Sequence, residues 1–100
     1  MIPVQPTEFP ALEFGANSES KKIKASSKKI GWIHSVADKP GAKFDVVIKD
    51  GLGRLKYQGT IKGDTEKSGS FVNLETHLGE ELDVSIVGLE GAEKIQLFIN

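Results

Sequence analysis

One hundred residues with 27% charged side chains and a formal net charge of −1 make one domain with a modest core. The balanced charge argues against a dedicated nucleic-acid binder, and the lack of cysteine excludes disulfide frameworks and thiolate metal sites. No apolar run approaches the roughly 18 residues that cross a bilayer, and the N-terminus lacks the basic and continuous apolar regions of a secretory signal, so a soluble product that keeps its first residues is expected.

In chain order, residues 1–20 read as an extended arm. Three of the four prolines, Pro3, Pro6 and Pro10, lie among the isolated apolar side chains Ile2, Val4, Phe9, Leu12 and Phe14. Proline fixes φ and biases its predecessor toward extended backbone, so the arm fits neither a helix interior nor a central strand. Its apolar groups need a surface, and the leading expectation is that they bind a partner subunit.

Residues 21–100 read as an all-β domain. Ile23 and Ala25 mark a short strand, and Ile30, Trp32 and then His34 or Val36 a longer one, closed by the turn Asp38-Lys39-Pro40-Gly41. Over residues 42–50, Phe44, Val46 and Ile48 alternate with Asp45, Val47 and Lys49. After a glycine turn, Leu55, Tyr57 and Ile61 resume, which predicts a hairpin. Residues 63–70 read as an exposed polar loop, and Val72 and Leu74 as a short strand. Leu82, Val84 and Ile86 alternate with acids and serine, and Ile95, Leu97 and Ile99 repeat the pattern beyond a turn at 88–91, predicting a second hairpin. No segment sustains a helical apolar stripe. Six to eight strands with glycine turns predict an antiparallel β-sandwich or jelly roll.

Charge is uneven along the chain. Lys21, Lys22, Lys24, Lys28 and Lys29 crowd one segment, whereas Glu75, Glu80, Glu81, Asp83, Glu90 and Glu93 face only Lys94 in the tail. The plain reading is a solvated face whose lysines guard an exposed edge strand. The functional reading sets the basic segment of one copy against the acidic segment of another in a homo-oligomer. Without interleaved aromatics, and with Arg54 elsewhere, the lysines make a poor nucleic-acid site.

The residues that carry chemistry form no constellation. His34 and His77 have no ligand-spaced companions, no serine sits in a strand-turn-helix elbow, and Asp50 and Asp64 lie where aspartate caps turns. Gly51 and Gly53 precede no helix that would cradle phosphate. The expectation is therefore a non-enzymatic protein with no catalytic residues, metal or cofactor. Trp32 shares a parity with Ile30 and Val36, which predicts that it is buried. The alternative is a carbohydrate-binding or adhesin-like sandwich acting through Trp32 or Tyr57 with Asn73, Gln58 and Asp45. A third reading has the arm adding a strand to a partner sheet.

An apolar N-terminal arm (IPVQPTEFPALEF), a glycine-turned β-sandwich and the lack of cysteine together resemble the small decoration, or cement, proteins of tailed bacteriophages. The resemblance spans the chain and is one of architecture. It implies copies on the outer capsid lattice, as homo-oligomers at the virion surface, with Ile2, Val4, Phe9, Leu12 and Phe14 clamping neighbouring capsid subunits. Burying each such side chain offers about 1.5 to 3 kcal/mol, less the entropy of ordering the arm.

Overall fold

The structure, a computed structural model, describes residues 12–15, 20–25 and 28–99. The candidate anchors Ile2, Val4 and Phe9 lie outside the described residues.

Every described element is a β-strand: β1 (Leu12–Gly15), β2 (Lys21–Lys24), β3 (Lys29–Ala37), β4 (Ala42–Asp50), β5 (Leu55–Gly63), β6 (Ser68–Glu75), β7 (Glu81–Glu90) and β8 (Lys94–Ile99). Among the described residues no helix is long and apolar enough to cross a membrane. The strands form two four-stranded sheets, sheet A in the order β1-β8-β3-β6 and sheet B in the order β2-β7-β4-β5. All pairings are antiparallel. Folding the chain once in the middle pairs β1 with β8, β2 with β7, β3 with β6 and β4 with β5. Rolling that long hairpin adds the contacts β3·β8 and β4·β7, which is the jelly-roll arrangement of a β-sandwich.

The core is the sum of the inward-facing alternations. Sheet A contributes Phe14, Ile30, Ile33, Ala37, Val72, Leu74, Ile95, Leu97 and Ile99, and sheet B contributes Ala42, Phe44, Val46, Ile48, Ile61, Leu82, Val84 and Ile86, all buried. Period-two patterning decides which side chains face inward. It does not decide which sheet a strand joins. The expected hairpin of residues 42–50 with the following strand is β4 paired with β5. The expected second hairpin is not formed: β7 lies in sheet B and β8 in sheet A, so residues 91–93 carry the chain across the sandwich. Gly91 has a φ of +78°, and a side chain there would run into the Gly41 carbonyl oxygen at 2.5 Å, so this arch packs tightly on the turn between β3 and β4.

Three further expectations are corrected. Leu12–Gly15, expected in the arm, is an edge strand of the sandwich, pairing Leu12 with Leu97 and Phe14 with Ile95. Phe14 is 2% exposed and fills the domain's own core, and Leu12 packs partly buried against it, so Phe14 is not a free anchor for a partner. The polar loop is shorter than expected because β5 runs to Gly63 and β6 starts at Ser68.

Trp32 faces outward and is 45% exposed. The register between β3 and β6 shifts between Ile30 and Trp32, leaving Gly31 alone against Val72 and Asn73. A bulge of this kind breaks parity. Ile30 and Ile33 both point inward, and Trp32 with its successors His34 and Val36 lies on the other side.

Candidate binding face

The outer surface of sheet A is built by residues out of phase with the core. On β3 these are Trp32, His34 and Val36, on β8 Gln96 and Phe98, on β6 Gly69, Phe71 and Asn73, and on β1 Glu13. Register brings the aromatic members together. Trp32 stands opposite Phe71, and His34 stands between Phe98 on one side and Gly69 on the other.

The rings pack on each other. Phe71 meets Trp32 edge to face, with centroids 5.2 Å apart and an interplanar angle of 86°. Trp32 lies nearly parallel to His34, with centroids 5.7 Å apart and an angle of 15°. Both arrangements suit the quadrupole of aromatic rings. A side chain at position 69 would collide with the His34 imidazole, so the bare glycine supplies the floor on which that ring rests. The Lys67 ammonium sits 4.2 Å above the Phe98 ring, a cation–π contact at the margin of the patch. At the β1 side, the Gln96 amide donates to a Glu13 carboxylate oxygen at 3.3 Å. Phe71 keeps 67% of its surface exposed. A run of rings across three neighbouring strands makes a partly exposed apolar patch on an otherwise polar outer surface.

The lysine candidates lie elsewhere. Lys21, Lys22 and Lys24 are exposed on β2, an edge strand of sheet B, while Lys28 and Lys29 lie at the start of β3. Lys22 stands opposite Asp83 and Lys24 opposite Glu81, so the basic segment meets acidic residues of its own chain. Lys21 reaches over the Phe14 ring at 5.7 Å. Tyr57 is half-buried against the core and on the other sheet from Trp32, so the two do not form one sugar platform.

Carboxylates at the turns serve the fold. Asp38 accepts the backbone N–H groups of Glu93 and Lys94 at 2.9 and 3.1 Å, tying the β3–β4 turn to the β7–β8 arch. These donors, the Glu93 N–H first, hold its pKa below the ordinary carboxylate value. Asp50 accepts the N–H groups of Leu52 and Arg54 and the Arg54 Nε–H, each at 2.9 Å. Its pKa is lowered, chiefly by the Arg54 backbone N–H. Glu80 accepts from Lys56 Nζ at 2.7 Å and from the His77 N–H at 2.9 Å, and its pKa is lowered, chiefly by Lys56. Among the described residues no group of three or more histidines or carboxylates is placed to hold a metal ion.

Sequence reasoning missed Phe71 as the partner of Trp32 and Phe98 as a member of the same face. A signal was present in both cases. Each Phe falls out of phase with the inward positions of a neat alternation, Phe71 just before Val72 and Leu74, and Phe98 between Leu97 and Ile99. Comparison of the chain with protein-family models, curated proteins and solved structures gives no match.

Proposed function

We propose that the chain is a non-enzymatic structural protein that attaches to a repeating protein surface, as the decoration proteins of phage capsids do, and works there in several copies. The observation that carries this reading is the aromatic outer face of sheet A: Trp32 and Phe71 are 45% and 67% exposed although 18 other apolar residues among those described are buried. Large exposed rings in one patch are typical of binding hot spots, where a few aromatic anchors carry most of the energy. Burying each offers about 1.5 to 3 kcal/mol, and several copies on one lattice multiply weak contacts through effective concentration. The capsid setting and the virion location come from the resemblance of the whole chain.

The test is electron microscopy of native material, followed by co-sedimentation of the purified chain with the assembly found. The double variant Trp32→Ser, Phe71→Ser is expected to bind at least about tenfold more weakly, as hot-spot losses do. Undiminished binding by that variant would overturn the use of this face. A second reading, carbohydrate binding, is favoured by one observation, the Trp32 ring with the exposed amide of Asn73 on the neighbouring strand. It predicts that a glycan panel shifts Trp32 fluorescence; silence across a broad panel would remove it.

A further inference from the structure

Sheet A leaves its aromatic face beside the point where the N-terminal segment joins the domain. Leu12 begins β1 opposite Leu97, and because β1 and β8 are antiparallel, Phe98 lies at the N-terminal end of β1. Phe98 is the β8 margin of the patch, with His34 opposite it and Trp32 further along β3. The N-terminal end of β1 therefore lies one strand away from the ring cluster. Eleven extended residues reach roughly 36 Å, and the full width of a four-stranded sheet is about 14 Å. The segment is long enough to cross every ring of the patch.

Its chemistry matches that surface. Residues 1–11 contain Ile2, Val4, Phe9 and three prolines, and Glu8 is the only charged side chain among them. The patch offers Trp32, His34, Phe71 and Phe98 with Lys67 at its margin, a cation that suits the segment's single acid. Proline rings stack on aromatic faces and lose little entropy on binding, because their backbone is already extended. We infer that the outer face of sheet A is the seat of the chain's own N-terminal segment, residues 1–11 of the same copy, in the free protein, and that attachment to an outside surface displaces it. This rests on the reading of the face as a docking surface. The tether decides for the same copy over a neighbour: a short linker gives an effective concentration on the order of millimolar, above that of other copies in dilute solution.

The sequence provides two clean reporters for the test, since it has no cysteine and one tryptophan. The full-length variant Gln5→Cys carries a nitroxide label, and the Trp32 indole N–H resonance is recorded before and after the label is reduced. The expected result is loss of the Trp32 signal in the labelled protein, with recovery when Phe9→Ser and Val4→Ser are added. A mixture of isotope-labelled protein without nitroxide and unlabelled protein with nitroxide should leave the signal intact. A full-strength Trp32 signal in the labelled chain overturns the inference, and so does broadening in the mixed sample, which would place the segment on a neighbouring copy. Failure here is separable from failure of the proposed function. The segment can be absent from the face while Trp32→Ser, Phe71→Ser still abolishes attachment, and the reverse pair of results would show a face that serves only the segment.

Discussion

The two outer faces of the sandwich have the same geometry and opposite chemistry. Sheet B presents Lys22 opposite Asp83, Lys24 opposite Glu81, Lys43 opposite Glu90 and Lys49 opposite Asp83, with Thr60 donating to Asp45 at 2.6 Å. Charges of both signs set opposite one another across strands keep this face hydrated. Sheet A presents a run of aromatic rings whose exposed surface nothing among the described residues covers. The contrast teaches that the alternation which builds a core also leaves an independent choice at each outward position. The proposed function rests on that second choice.

The largest effect that sharpens the comparison uses one residue type on the two sides of one sheet. Phe14→Ala removes a ring that is 2% exposed, and about 3 to 5 kcal/mol of stability should go with it. Phe71→Ala removes a ring that is 67% exposed and should cost under about 1 kcal/mol, because little burial is lost. Urea denaturation of both variants measures the difference. Equal costs would mean that Phe14 is not in the core or that Phe71 is not on the surface. The same pair shows where truncation must stop: a cut after residue 14 deletes most of β1 and its core ring, whereas a cut after residue 11 spares them.

How much of this was readable beforehand follows from what each residue reports. The strands of residues 42–50 and 81–87 were legible because strict alternation needs no partner to be recognised. The path from β7 to β8 was not, since an arch between sheets and a hairpin within one sheet carry the same inward pattern and the same glycine turn. Trp32 failed for a local reason. Its parity depends on the register shift at Gly31, and that shift is defined by the pairing with β6, a strand some forty residues away. The candidate face suffered doubly, because its members come from three strands whose adjacency only the jelly-roll connectivity creates.

A smaller effect probes how the aromatic face is supported. Gly69→Val places a side chain where the His34 imidazole lies. The ring must swing away or β6 must shift, and overpacking of this kind costs about 1 to 3 kcal/mol. Because His34 stacks on Trp32, the emission maximum of the single tryptophan should move as well. Gly51 lies at a turn with open space around it, so Gly51→Val should leave that maximum unchanged. A Gly69→Val protein with native stability and native emission would mean that the imidazole does not depend on the bare backbone beneath it.

Acid tests the carboxylate clasps at the turns. Asp38, Asp50 and Glu80 all have folded-state pKa values below their ordinary values, so the unfolded chain binds protons at them first as pH falls. Their contribution is complete above the unfolded values, near pH 4, and is lost as pH drops through the lowered folded values. The melting temperature should hold from neutral pH to about pH 5 and decline below about pH 4. Asp38→Asn keeps an acceptor oxygen for the Glu93 and Lys94 N–H groups but cannot titrate. It should melt lower than the parent at neutral pH and lose less on acidification. A parent chain whose melting temperature rises on acidification would reverse the sign and remove these carboxylates as clasps.

The smallest effect returns to the charged face. Lys24 and Glu81 stand directly opposite on β2 and β7, both exposed, at the edge of sheet B. An exposed cross-strand pair is worth about 0.2 to 1 kcal/mol, since water screens the charges and two long side chains lose freedom in meeting. A double-mutant cycle of Lys24→Ala and Glu81→Ala should give a coupling in that range that fades as salt is raised. The lysines have a second role that the cycle does not see. Charge on an edge strand opposes pairing with another chain, so Lys22→Val with Lys24→Val should change stability little and promote self-association, read by light scattering. A coupling that stays large in high salt would place the pair out of water, and the charged face would then be the one that meets a partner.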